Sequence, residues 1–306
     1  MCNTLKLTLV AFSTVTAFTS LQAQEIDIEA DRADDRFFDF DQSIDEIPDV
    51  DRFLDSHEEG LIAVAAREKR KEFSFSVSLP FTYNSNVENV PTAALSAFHT
   101  NPSVSLAWKK SDGIVRPYLL SVADVDLYTR HSDNNASTFV SRVGVEVRPK
   151  NLGGVVPYVQ YTPVIVFEGA YNNHVVTLHD FEVGVKKTFA FEKTRFSLDI
   201  DFVRREATAA AAERSQLSTS LLLVGTITDS ISWSIGQRIQ GRFYSGGSND
   251  GRDDINLRST ASLAYKVDDN FSLSAGLKFD KNFSNFPTKE FSKIDIGPTV
   301  NVRFKF

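Results

Sequence analysis

From Phe73 onward the chain alternates with a period of two. Phe73, Phe75, Val77, Leu79, Phe81 and Tyr83 take the odd positions, and Ser74, Ser76, Ser78, Pro80 and Thr82 the even ones. Successive side chains of a strand point to opposite faces, so this spacing predicts a strand with one apolar and one polar face. Eleven further segments follow, near 103–109, 114–128, 138–149, 155–168, 177–191, 194–205, 214–228, 230–244, 254–267, 270–281 and 291–306. The clearest runs are Phe196-Leu198-Ile200-Phe202, Ile231-Trp233-Ile235 and Phe271-Leu273-Ala275-Leu277-Phe279. Residues 104–108, 155–168 and 217–227 alternate less cleanly.

The connections carry a second pattern. Short turns are expected at Lys110–Gly113, Lys150–Gly154, Glu192–Lys193, Asp229 and Asp268–Asp269. Long loops are expected at Asn84–Pro102, Thr129–Ser137, Gly169–Val176, Glu206–Glu213, Ser245–Asp253 and Asn282–Glu290. Long and short alternate along the chain, as in a membrane barrel whose turns are tight on one side and whose loops are long on the other. A tilted strand of about ten residues crosses a bilayer, and closure leaves no open edge. A soluble β-sandwich would have to manage open edges and produce the alternation by chance. The expected fold is therefore all-β, a twelve-stranded antiparallel transmembrane β-barrel over 73–306.

Ahead of the barrel the period is helical. In 49–72, Val50, Phe53, Leu54, Leu61, Ile62, Val64 and Ala65 fall mostly on one side, and Arg67, Lys69, Arg70 and Lys71 crowd the end, where cations suit the helix dipole. An amphipathic helix in that place would plug the barrel or cap its periplasmic mouth. Residues 24–48 form an acidic leader without an apolar period. Its Asp-rich stretch lacks the turn glycine and closing glutamate of a calcium loop. Residues 1–23 read as an export signal, with Lys6, the apolar stretch Leu7–Phe18 and a cleavage point after Ala23.

Composition sharpens this picture. Twenty-five Phe beside one Met and one Cys is unusual for a soluble core and suits a lipid-facing wall. Cys2 would leave with the signal, so the mature chain has no thiol chemistry. Fifteen acidic against three basic residues in 24–59 make the leader strongly negative, whereas 60–306 holds 25 acidic and 29 basic residues.

The chain ends Val300-Asn301-Val302-Arg303-Phe304-Lys305-Phe306, an alternating row closed by an aromatic. This resembles the C-terminal targeting strand of Gram-negative outer-membrane β-barrel proteins, carried here by Val300, Val302, Phe304 and Phe306. Asn301 stands where those proteins often have glycine. The resemblance implies an outer-membrane location, contact with membrane lipid and lipopolysaccharide, and recognition by the barrel-assembly machinery. The outline is also similar to that of the small twelve-stranded porins.

With the apolar set facing lipid, the other set should line the lumen. The candidate pore-lining residues are Arg142, Glu146, Arg148, Asp199, Asp201, Arg238, Arg242, Arg258 and Arg303, with Glu182, Lys186, Arg195, Lys278 and Asp295 on the same set. Opposite charges pairing to fill a narrow interior is one expectation. A polar pore whose arginines favour small anionic solutes is the other, with Arg238, Arg242 and Arg258 as a basic ladder on neighbouring strands. The alternative role is a non-transporting barrel serving assembly, anchoring or surface contact through its N-terminal segment.

Enzymatic chemistry finds little footing. His131-Ser132-Asp133-Asn134 holds residue types used in acyl hydrolysis, but in an expected loop rather than on a rigid wall. His174 and His179 are five apart, a poor spacing for two ligands on one strand face, and His57 and His99 have no evident partners. No metal, cofactor or nucleic-acid partner is expected, since phosphate-binding glycine loops and basic–aromatic stripes are missing from the sequence.

Overall fold

The computed structural model describes residues 72–149 and 151–306. The export signal, the leader and nearly all of the helix expected over 49–72 lie outside the described residues. The strands are β1 (Phe73–Asn84), β2 (Ala97–Thr100), β3 (Ser103–Lys109), β4 (Val115–Tyr128), β5 (Ala136–Val147) and β6 (Val155–Glu168). They continue as β7 (Asn173–Phe191), β8 (Thr194–Ala207), β9 (Arg214–Thr228), β10 (Ile231–Tyr244), β11 (Asp253–Lys266), β12 (Phe271–Ser284) and β13 (Phe291–Lys305).

From β3 onward each strand pairs antiparallel with the next, and β13 returns to pair with β1. Both β2 and β3 lie between β1 and β4, so together they form one stave, and the sheet closes as a twelve-stave barrel. The stave breaks at Asn101–Pro102, where proline has no N–H to give the ladder. The Asn101 side chain fills the gap by donating to Asp126 at 2.6 Å and Asp124 at 3.3 Å.

The closing seam joins the two ends of the sheet. Val77 stands opposite Val302 and Leu79 opposite Val300, while the Phe306 N–H donates to the Phe73 carbonyl at 2.9 Å. Gly297 sits where β13 runs hard against β1. A Cβ there would lie 2.8 Å from the Phe81 carbonyl carbon and closer still to its oxygen.

The exterior carries the alternating apolar set. Phe75, Val143, Phe181, Phe202, Ile235, Leu277, Ile296 and Phe304 are among its exposed members. No helix among the described residues is long and apolar enough to cross a membrane; the exposed apolar surface lies on the strands.

Two expected loops differ from the structure. The one placed over Asn84–Pro102 contains β2, and the one over Gly169–Val176 shrinks to residues 169–172 because β7 begins at Asn173. The second is shorter than the turn at 148–154 that precedes it, so the strict alternation of long and short fails there. Asn173 looks loop-like in sequence, but its side-chain amide donates to Glu168 at 3.0 Å across the hairpin, and a bulge at Val166/Phe167 adjusts the register.

Candidate functional site

The interior is the candidate site, and strand register decides what meets there. On the β7–β13 wall, polar side chains stack toward the loop end. Arg205 lies opposite both Asp180 and Arg214 in register, and its guanidinium grips the Asp180 carboxylate with two bonds of 2.7 and 2.6 Å. Arg214 donates to Gln216 at 3.2 Å and to the Tyr244 hydroxyl at 3.1 Å. Arg252 lies 4.3 Å from the centre of the Tyr244 ring and holds Asp254 with bonds of 3.0 and 2.5 Å. Guanidinium over an aromatic face and fork-to-carboxylate pairing are both geometries that arginine favours over lysine.

One step toward the turn side, Arg238 stands directly opposite Arg258, and Arg258 opposite Asp280. Arg258 is ion-paired with Asp280, which also accepts from Asn256 at 2.7 Å. Arg242 faces Asp254 in register and donates to Gln240 at 2.6 Å. Lys278 approaches Asp295 at 3.3 Å. Arg205, Arg214, Arg242, Arg252 and Arg258 are each no more than 1% exposed.

The wall formed by β5–β8 adds a cluster of carboxylates. The Tyr158 ring lies across Gly184, and its hydroxyl stands 2.8 Å from Glu182 and 3.0 Å from Asp199. Gln160 donates to Glu182 at 2.6 Å, and Asp201 faces Ser218 in register. Glu146 is held by Lys109 at 2.5 Å and Arg148 at 3.0 Å. The interior thus carries a carboxylate cluster beside its arginine-rich wall.

Of the residues named from sequence, Arg142, Glu146, Arg238, Arg242 and Arg258 are buried inside the barrel. Asp199, Asp201 and Arg303 are half-buried on the interior face, and Arg148 stands just past the end of β5. Arg303 lies near the turn-side mouth opposite Ser76, with no ion pair among the described residues. Val300 and Val302 are half-buried on the seam strand, and Phe304 and Phe306 are exposed at its end.

Three arginines escaped sequence reasoning: Arg205, Arg214 and Arg252. The first two were legible by parity, since Arg205 continues the Asp201–Val203 face and Arg214 begins the Gln216–Ser218 face. Arg252 was hidden inside an expected loop.

The interior is not uniformly polar, which corrects the assignment of the whole apolar set to lipid. Leu120, Val122, Val140, Val164, Val166, Val176 and Leu178 form a buried cluster on the inner face of β4–β7. The β8–β9 loop folds over this cluster and presses Ala212 into it. The loop is tied to β7 by reciprocal bonds between Thr177 and Thr208, both 3.0 Å. On its other flank Asn249 donates to the Ala211 carbonyl at 2.8 Å. An alanine cap therefore narrows the loop end of the lumen.

His131, Ser132 and Asp133 lie in a short 3-10 turn with no side-chain hydrogen bond between them. The His179 ring instead meets the Tyr161 hydroxyl at 2.7 Å, and among the described residues no group of three metal-ligating side chains comes together.

No family model matches this chain, and no curated protein matches it in sequence. Its fold is similar to that of an outer membrane channel from Pseudomonas putida F1, with a TM-score of 0.50 and 10% identity over 79% of this chain and 100% of that one. A bacterial polysaccharide outer membrane secretin aligns with a TM-score of 0.47 and 8% identity, covering 76% of this chain and 99% of that one. The NanC porin aligns at 0.46 and 9% identity, covering 75% and 100%. The likeness to the first concerns the fold, a closed barrel of the outer-membrane type.

Proposed function

We propose that the chain is a bacterial outer-membrane channel for small anionic solutes, with its selective step at the arginine-rich wall of the lumen. The observation that carries this reading is the arginine-rich wall of β8–β11, where Arg238 and Arg258 stand directly opposite each other. Positive groups held in a narrow, low-dielectric passage raise the local concentration of anions and exclude cations. The apolar exterior and the closed seam support a place in the membrane. Reversal potentials across a planar bilayer under a salt gradient test it. Anion selectivity is expected for the full chain, together with a shift toward cations in an Arg238→Gln, Arg242→Gln double variant. Cation selectivity in the unaltered protein would overturn the reading.

One observation favours a second reading. The ion pairs of Arg258 and Arg252 have side chains only 0–1% exposed, and Ala212 is fully buried, so the loop end is tightly filled. A sealed barrel of this kind would act through its N-terminal segment in assembly, anchoring or surface contact. Absence of conductance from the full chain and from a chain beginning near Phe73 would favour it.

A further inference from the structure

The turn-side half of the seam wall is unlike the rest of the lumen. On β12, β13, β1 and β3 its inward positions include Ser272, Ser274, Asn301, Ser74, Ser76 and Ser105, all short and polar. The Ser76 and Ser105 hydroxyls meet at 2.6 Å across their ladder. Two cations share this floor, Arg303 opposite Ser76 and Lys305 opposite Ser74. Neither has an ion pair among the described residues, and the Arg303 Nε is buried without a hydrogen-bond partner there. No position of 73–79, 103–109, 271–276 or 299–305 is acidic. A half-buried guanidinium among hydroxyls, with no carboxylate on its own wall, is a place for an anion brought from elsewhere.

The chain carries such an anion at the same rim. Glu72, the residue before β1, is pinned to the mouth. Its carbonyl accepts from the Lys109 N–H at 3.0 Å, and its carboxylate accepts from the Ser111 N–H and hydroxyl. The segment ahead of it is thereby tethered at this end of the barrel. Residues 24–59, outside the described residues, hold fifteen acidic and three basic side chains. Glu59 stands fourteen positions before Phe73, a reach of up to about 50 Å when extended. A short tether of that kind gives the acids an effective concentration on the order of millimolar at the mouth.

We propose that the acidic segment 24–59 docks inside the turn-side mouth, against the serine floor of the seam wall, with its carboxylates on Arg303 and Lys305. A guanidinium takes a carboxylate as a two-pronged fork, and serine hydroxyls and the Asn301 amide donate to the remaining oxygens. An apolar segment in the same place would leave those hydroxyls unpaired. The docked acids act as a built-in anion, which an anionic solute has to displace. Docking needs only the closed barrel, not conduction.

The test couples carboxylates to ammonium groups in the full chain with a water-soluble carbodiimide and maps the amide links by mass spectrometry. The Lys109–Glu146 pair, 2.5 Å apart, serves as internal standard. Links from acids of 24–59 to Lys305 are expected roughly fivefold or more above links to Lys193 and Lys289. Lys193 is exposed in the β7–β8 turn at the same end of the barrel, and Lys289 lies at the loop end. Molar salt, which shortens the Debye length to about 3 Å, should cut the Lys305 links roughly threefold to tenfold. Arg303→Gln should do the same without removing a linkable lysine. The combination Asp39→Asn, Asp41→Asn, Asp45→Asn and Glu46→Gln lies outside the barrel strands. It should lower links from the remaining acids of the segment even where Arg303→Gln impairs folding. Equal links to Lys193 and Lys305, or Lys305 links indifferent to salt and to both variants, would overturn the proposal. So would links found only between chains in a mixture of isotope-labelled and unlabelled protein, which would make a second copy the occupant. A barrel with these links and no conductance refutes the channel reading alone. A conducting barrel without them refutes the docking alone.

Discussion

Replacing Gly247 by alanine should release the alanine cap from the barrel mouth while leaving the barrel closed. Gly247 has φ +57°, and an added Cβ would stand 2.7 Å from the Ala211 nitrogen and 3.0 Å from its Cα. These are backbone atoms, so the contact is relieved only if the β8–β9 and β10–β11 loops part. The left-handed conformation costs an ordinary residue about 1–2 kcal/mol. Parting the loops stretches the 2.8 Å bond from Asn249 to the Ala211 carbonyl, and Asn249 is buried. Leaving a buried amide unsatisfied adds about 1–3 kcal/mol. Together these give about 2–5 kcal/mol of lost stability in the variant, the backbone clash loosening the cap at the expense of the Asn249 bond. Gly153→Ala is the matched control. It has the same φ of +57° with nothing within 4 Å of its Cβ, so it carries the conformational cost without the clash. Hydrogen exchange over 208–213 should accelerate in Gly247→Ala and not in Gly153→Ala, and single-channel conductance should rise only in the former. Equal protection of 208–213 in the two variants would refute the latch.

Three further outcomes follow from the geometry. Gly297→Ala should separate β13 from β1 and remove two to four seam hydrogen bonds, roughly 2–4 kcal/mol of stability, read as a lower urea midpoint in vesicles. Arg258→Leu should destabilise by about 3–5 kcal/mol because it strands the Asp280 carboxylate, and adding Asp280→Leu should recover most of the loss; a double variant worse than the single would sink this account. The Glu72 carboxyl, which accepts bonds from the Ser111 N–H and hydroxyl at 3.0 Å each, should titrate below the ordinary carboxylate range, so its small stabilising contribution is present above that range and lost as pH falls through the lowered value. In an NMR titration Ser111→Ala should bring its midpoint back only part of the way, since the backbone donor remains.

The outer wall was legible because lipid imposes a local rule. Lipid-facing positions are mostly apolar whatever their neighbours do, so the alternation of β1, β10 and β12 is written within single segments, with Gln237 on β10 an outward exception that accepts from Ser259. The inner wall obeys no such local rule. Val164 and Val166 are apolar because Ala212, some fifty residues later, folds in to cover them, and with Val159 and Ile165 apolar on the outer face the segment 155–168 loses its period. The C-terminal row of Val300, Val302 and Phe304 was readable as a pattern, whereas its closure against Leu79, Val77 and Phe75 came only with the register.

Register is also why the charged interior was named as a set but not paired. A two-residue turn at Asp268–Asp269, the length expected from sequence, would place Arg258 opposite Phe279. The observed turn is wider: the Val267 and Asp268 N–H groups both donate to the Phe271 carbonyl, and the Asp268 carboxylate accepts from the N–H groups of Asn270 and Phe271 at 2.7 and 2.8 Å. That Asp-anchored turn shifts the pairing by one residue and sets Arg258 opposite Asp280. A one-residue slip exchanges the two faces of a strand, so the shorter turn would have put charge against lipid and phenylalanine in the lumen. The demand for an apolar exterior thus selects the turn, and the turn selects which arginine meets which carboxylate. The same logic places Arg238 against Arg258, since the register across β10 and β11 that keeps Ile235, Ile239 and Phe243 outward sets those two residues opposite each other. Two like charges adjacent in a buried wall need compensation, which Arg258 finds in the Asp280 carboxylate.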